Sequence, residues 1–110
     1  MADIVLINPR FEPSFWGMEH AMPLFGKKAN LPVACLPLLA ALTPADHNVT
    51  LLDENVEPLD FDRLAQADIV GLTGMIVQRS RMRDIITELK RRDNFVVVGG
   101  PWVTVCEDYF

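Results

Sequence analysis

The sequence predicts an α/β fold with a doubly wound parallel sheet, and two observations carry that prediction. Four short runs, Ile4–Ile7, Val49–Leu52, Ile69–Leu72 and Phe95–Val98, are largely apolar and contain β-branched residues, the first apolar throughout. Such runs suit strands buried on both faces, as parallel strands are. The segments between them have helical character and are too long for hairpin turns. Strand alternating with helix argues a parallel sheet, with right-handed crossovers expected.

Asn8 and Pro9 end the first run. Residues 9–31 show no clear period and contain Pro9, Pro13, Gly17, Pro23 and Gly26 among Phe11, Phe15, Trp16 and Phe25. This stretch reads as a long loop with room for one helical turn, and long loops in compact domains are commonly functional. A helix is expected near Val33–Leu42, with Asn30 as a cap, Pro32 at its start and Pro37 in its first turn. Thr43 and Pro44 stop it. Asp53, Glu54 and Asn55 close the second strand, and a short helix near Phe61–Gln66 follows. Thr73 and Gly74 close the third strand. Met75–Arg92 is the clearest helix, because Ile76, Met82, Ile85, Ile86 and Leu89 recur near a 3.6-residue period. Gly99, Gly100 and Pro101 end the fourth strand, and the chain then begins another loop or helix.

The expected strand order is 2-1-3-4, the flavodoxin-like arrangement. In that order the fourth strand is an open edge although its residues are apolar on both faces. Proteins normally protect such edges. The expectation is therefore a missing fifth strand, residues 1–110 being a C-terminally truncated piece of a longer protein whose bare edge invites self-association.

Composition narrows the function classes. The chain has 110 residues, enough for one domain, and a formal net charge of −5. Nucleic-acid binders usually carry a basic patch and a high pI, whereas the pI here is about 4.8. Arg79, Arg81, Arg83, Lys90, Arg91 and Arg92 share one predicted helix with Asp84 and Glu88, which reads as a solvated face with cations near the C-terminus. Cys35 and Cys106 form no CxxC or CxxxCxxC pattern, so cysteine alone builds no zinc or iron–sulfur site. No signal peptide or long apolar run is present, and a cytoplasmic location with free thiols is expected.

In open α/β sheets ligands bind beyond the carboxyl ends of the strands, where the strand order reverses. That directs attention to Asn8–Phe11, Asp53–Asn55, Thr73–Gln78 and Gly99–Trp102. Familiar sites fail there. NPRFEP is not the GxGxxG of a dinucleotide fold, and no GxxxxGK[ST] phosphate loop occurs. A phospho-receiver needs acids where Asn8 and Thr73 stand. Asp53 could mimic a ribose-binding acid, but without the glycines an ordinary turn acid is the better reading. His47 precedes the second strand, at the opposite end of the sheet. His20 lies on the ligand side as an isolated candidate for metal binding or proton transfer. Ser14, Ser80 and Cys106 have no visible base partner, so no catalytic residue is assigned.

The runs IVLINP, FWGMEHAMPLFGKKA, LPVACLPLLAALTP, VTLLDENVEPL, ADIVGLTGMIVQ and VVVGGPWVT together resemble the N-terminal cobalamin-binding domain of cobalamin-dependent radical SAM proteins. The group resembled includes the hopanoid C-2 methylases and the magnesium-protoporphyrin monomethyl ester cyclase-like proteins. The resemblance implies a Rossmann-like domain carrying cobalamin (vitamin B12) on the carboxyl edge of the sheet. It further implies a parent protein whose radical SAM barrel holds a [4Fe–4S] cluster and S-adenosylmethionine and performs methyl transfer or a related radical step. Carried over by position, Asn8, Pro9 and Phe11 line the first loop. Thr73, Gly74, Met75, Val77 and Gln78 form the third-strand loop against the corrin or its nucleotide tail. Gly99, Gly100, Pro101 and Trp102 do the same after the fourth strand, and Asp53–Asn55 form a turn beside the site. Many cobalamin domains carry DxHxxG after the first strand, where NPRFEPSF stands here. Binding without a protein histidine on cobalt is therefore expected, His20 being the lesser alternative. Two other readings stay open on the residues alone: a ligand-free α/β interaction domain and a small nucleotide-binding module.

Overall fold

The computed structural model describes residues 1–14, 18–28 and 33–110. Its four strands are β1 (Asp3–Asn8), β2 (Asn48–Asp53), β3 (Ile69–Thr73) and β4 (Val96–Gly99). They form one sheet in the order β2-β1-β3-β4, and all three pairings are parallel. This is the expected α/β, flavodoxin-like arrangement. The fourth strand begins one residue later than its apolar run suggests. Phe95 still accepts a hydrogen bond from the Val70 amide at 3.0 Å, but its side chain is 63% exposed.

Side chains alternate across a strand, and the two faces of this sheet differ. One face presents Val5, Ile7, Leu52, Val70, Leu72 and Val96. It packs against helix α2 (Phe61–Leu64) and helix α3 (Arg79–Arg91), forming the core with Leu64, Ile85 and Leu89. The register places Leu6, Gly71 and Val97 side by side on the other face. Helix α1 (Cys35–Leu42) lies over that face and contacts β1 and β2.

Local chemistry explains the helix ends. Asp60 caps α2 by accepting from the amides of Asp62 and Arg63 at 3.1 and 3.3 Å. The helix is a single turn, shorter than expected. The long helix expected from Met75 divides. Ile76–Gln78 is a 3-10 turn and α3 proper starts at Arg79. The cause is Gln78, whose side-chain oxygen reaches back to the Met75 amide at 2.8 Å and tightens the first turn. At the other end Asp93 takes the left-handed conformation, φ 60°. The Asn94 amide then bonds Leu89 O and the Asp93 amide bonds Lys90 O, which is a Schellman stop built on Asp instead of Gly.

Helix α1 begins at Cys35, two residues later than expected, with Ala34 before it and no side-chain cap. Pro37 falls at its third position, where the missing N–H has no intrahelical partner. Asn30 and Pro32, expected as cap and start, lie outside the described residues, as do Phe15, Trp16 and Gly17 of the first loop. The one helical turn expected in that loop is a 3-10 turn at Met22–Phe25. After β4, Gly100 leads into a five-residue helix α4 (Pro101–Val105). No helix among the described residues is long and apolar enough to cross a membrane.

The core face is where truncation is costly. Ile85→Ala removes a fully buried side chain and is expected to destabilise by about 3 kcal/mol. Leu38→Ala, at a position 60% exposed, is expected to stay within about 0.5 kcal/mol of the parent. Urea melts of the two variants check both, and similar losses for the two would overturn this assignment of faces.

Candidate functional site

The sheet face opposite α2 and α3 opens into a cavity of about 600 Å³ that runs up to the carboxyl ends of the strands. That volume is typical of small-molecule sites, about 300–1,000 Å³. Its floor is Leu6, Ile69, Gly71 and Val97; α1 contributes Cys35, Leu36 and Leu39 on one side. The rim is made by the strand ends and their loops. Asn8 and Phe11 come from the first loop, and Thr73, Gly74, Met75 and Gln78 from the third. Gly99, Gly100 and Pro101 come from the fourth. Three of the four loops singled out in the sequence therefore converge on the cavity, while Asp53–Asn55 is not among its lining residues.

Three of the residues assigned by resemblance are placed elsewhere. Pro9 is fully buried, and its carbonyl accepts from Gln78 and Asn55 behind the rim. Val77 is half-buried, and its carbonyl accepts from the Glu12 amide at 3.4 Å. Trp102 packs edge-on against Tyr109 with ring centroids 5.5 Å apart, and its amide bonds Gly74 O at 3.1 Å. His20 is exposed in the turn before the 3-10 segment and is not among the cavity-lining residues. His47 accepts from the Ala2 amide through Nδ1 at 3.0 Å, at the amino-terminal end of the sheet as expected. The floor and the α1 wall escaped sequence reading. The floor follows from period-2 alternation once the topology is known, but the α1 wall has no motif.

Two glycines at the rim are required by close approach. A Cβ on Gly74 would strike Met82 Sδ, and one on Gly100 would strike Thr73 Oγ1. Gly100 also has φ 96°, which side chains rarely adopt. Gly99 differs, because a Cβ there meets nothing within 4 Å and would project into open cavity. Thr73 Oγ1 lies 3.8 Å from the Cys35 thiol.

The loops are held by a polar network behind the rim. Gln78, 2% exposed, donates through Nε2 to Asn8 Oδ1 at 2.8 Å and to Pro9 O at 2.6 Å. Asn55 accepts from the Phe11 amide at 2.9 Å. Asp53 accepts from the Asn55 amide and side chain, both at 2.9 Å, and from Asn8 at 3.3 Å. It is thus a turn acid, as the missing glycine fingerprint suggested. Glu54, with a side chain only 5% exposed, receives a forked pair of bonds from Arg81 and one from the Arg10 amide at 2.9 Å. Three other arginines in and just after α3 also have partners. Arg91 and Arg92 bind Glu88, Arg92 reaches Asp62, and Arg83 lies over the Tyr109 ring.

With the geometry in place, comparison with known proteins identifies the chain. The B12 binding domain family matches residues 28–110. The chain belongs to this family. Its fold is that of a cobalamin-binding module. The chain is 38% identical over 94% of its length to a Synechocystis protein named as an uncharacterized methyltransferase, sll1242. It is 36% identical over 97% of its length to a hopanoid C-2 methylase from Rhodopseudomonas palustris. A bacteriochlorophyllide d C-8(2)-methyltransferase from Chlorobaculum tepidum is 33% identical over 59% of the chain. The chain spans only 19%, 20% and 14% of these three relatives. No solved structure matches at a significant level.

The residues present fit a large cofactor with a planar apolar part. The floor is apolar, Gly99 leaves space, and Gly74 and Gly100 bring backbone to the rim. The Arg81–Glu54 pair sits behind that rim, and its pH behaviour follows from its surroundings. Burial alone pushes Glu54 up. The Arg81 hydrogen bond, the Arg10 amide and the guanidinium charges outweigh it and hold the carboxyl below its usual value. A depressed carboxylate contributes stability that is present above the unfolded value, near 4.5, and is lost as pH falls through the lower folded value. Glu54→Gln keeps an acceptor for Arg10 but leaves the Arg81 charge unpaired, so a loss of about 2 kcal/mol is expected at pH 7. Denaturant melts from pH 7 to pH 3 check this: the gap between parent and variant should narrow below pH 4.5.

Proposed function

We propose that the chain is the cobalamin-carrying module of a B12-dependent radical SAM enzyme that performs methyl transfer or related radical chemistry, working in the cytoplasm. The observation that carries the reading is the coincidence of the B12 binding domain match with an apolar cavity open at the carboxyl edge. Support for methyl transfer comes from the relatives' names. The relatives are about five times longer, which supports a parent protein in which a separate barrel supplies the [4Fe–4S] cluster and S-adenosylmethionine. Residues 1–110 are then the binding part of that protein. The exposed edge of β4, with Phe95 and Val97, is where edge-to-edge association would occur.

When bound, cobalamin supplies a cobalt centre able to carry a methyl group between donor and acceptor. The protein's share is binding and orientation. Leu6, Ile69, Gly71 and Val97 form an apolar floor that would take apolar surface of the cofactor out of water. Thr73 offers a hydroxyl at the rim, and Phe11 closes the first-loop side. Binding without a protein imidazole on cobalt is part of this reading, with His20 exposed in the first loop.

Titration of the chain with hydroxocobalamin, followed at the corrin bands, tests the reading. Saturable band shifts are expected, with Gly99→Leu weakening binding at least about tenfold while its melting midpoint stays within a few degrees. A Cβ at Gly99 meets nothing within 4 Å, so a loss of binding with an unchanged melting midpoint would report filling and not misfolding. His20→Ala should leave the bound spectrum unchanged. Absence of any shift, or tight adenine-nucleotide binding in its place, would sink the proposal.

A further inference from the structure

From Asn8 to Glu12 the backbone is taken up almost entirely by two other turns. The Glu54 amide donates to Asn8 O at 3.0 Å. Pro9 O receives Gln78 Nε2 at 2.6 Å and Asn55 Nδ2 at 3.3 Å. The Arg10 amide donates to Glu54, the Phe11 amide to Asn55, and the Glu12 amide to Val77 O. One turn follows β2, and the other follows β3.

A primary amide has two N–H donors. Gln78 directs its Nε2 to Asn8 Oδ1 and Pro9 O, and its oxygen takes the Met75 amide. Both hydrogens are thus spent inside the protein, and the side chain is buried. Gln78 borders the cavity yet has no donor to offer a ligand. Asn55 is equally committed, to Phe11, Pro9 and Asp53, and does not line the cavity.

We propose that Asn55 and Gln78 are positioning residues that together hold the loop Asn8–Phe11 in its ligand-ready form, with Phe11 on the cavity wall, and that neither touches the ligand. The identity of that ligand rests on the cobalamin reading; the clamp itself does not. A loop already held does not have to be ordered on binding, so the clamp acts on association more than on dissociation.

The experiment uses the whole 110-residue chain and the variants Asn55→Ala and Gln78→Met. Amide hydrogen exchange is measured without ligand, and hydroxocobalamin binding by stopped flow. If the two side chains act as one clamp, Asn55→Ala should speed exchange about tenfold at Phe11. It should also speed exchange at Arg10, whose own partner is Glu54. The sheet amides of Val70 and Leu72 should keep their protection. Hydroxocobalamin affinity should fall about tenfold, mostly through the association rate. Three results would overturn the proposal: a change confined to the Phe11 amide, faster exchange with unchanged affinity, or a uniform loss of protection across the sheet. Gln78→Met removes a buried amide and can fail to fold; the half-exposed Asn55 then carries the test alone. A parent chain that shows no band shift removes the cobalamin reading, while exchange at Arg10 and Phe11 still decides the clamp.

Discussion

Asn8 is the last residue of β1, and beyond it the chain leaves the sheet with backbone groups that have no ladder partner. Buried groups of that kind must be satisfied by something. Here Gln78 does it from the head of α3 and Asn55 from the turn after β2. Much else follows from that exchange. Gln78 tightens the start of the helix into a 3-10 turn because it also takes the Met75 amide. One helical turn later Arg81 reaches Glu54, whose carboxylate holds the Arg10 amide. The helix is thereby tied to the first loop, and the turns after β1, β2 and β3 are joined as one unit.

The two sheet faces explain why a cavity exists at all. On the α2 and α3 side, bulky residues alternate along the strands and close the core. On the other side the same strands carry Gly71 and Gly99, and α1 is only eight residues long. A Cβ at Gly71 would come within 2.8 Å of Leu6, so the glycine lets the Leu6 side chain lie across β3. Small residues in the strands and a short helix leave apolar surface facing an open volume instead of a packed layer.

The architecture was legible because its signals are periodic and local. Four apolar runs and the spacing of Met82, Ile85 and Leu89 determine which elements form. The strand order followed the flavodoxin-like arrangement of doubly wound sheets, which the pairing of β1 with both β2 and β3 matches. Ends were less legible, because they depend on single side chains acting at a distance. The split of the long helix rests on Gln78, and the stop at Asp93 uses a residue that no glycine signal marks. The rim loops could be located from strand ends alone. Whether a residue there faces the cavity or supports it could not, since Trp102 and Pro9 sit in the same stretches as Gly100 and Phe11. The α1 wall has only apolar composition, and CLPLLAAL reads equally as core or as lining.

The division between facing and supporting residues also says what kind of binding such a rim can give. Asn8, Asn55 and Gln78 would be natural ligand partners by residue type, yet each is bonded within the protein. A ligand competing for them would have to leave buried backbone groups unpaired, at a cost of about 1–3 kcal/mol for each. Affinity must then come chiefly from apolar surface removed from water and from shape. The polar remainder is Thr73, buried at the rim beside Gly100, whose missing side chain leaves its hydroxyl room, together with backbone at the glycines. A site of this kind selects by what fits beneath a rigid rim, which suits a large cofactor that must be held in one orientation while its reactive face stays open.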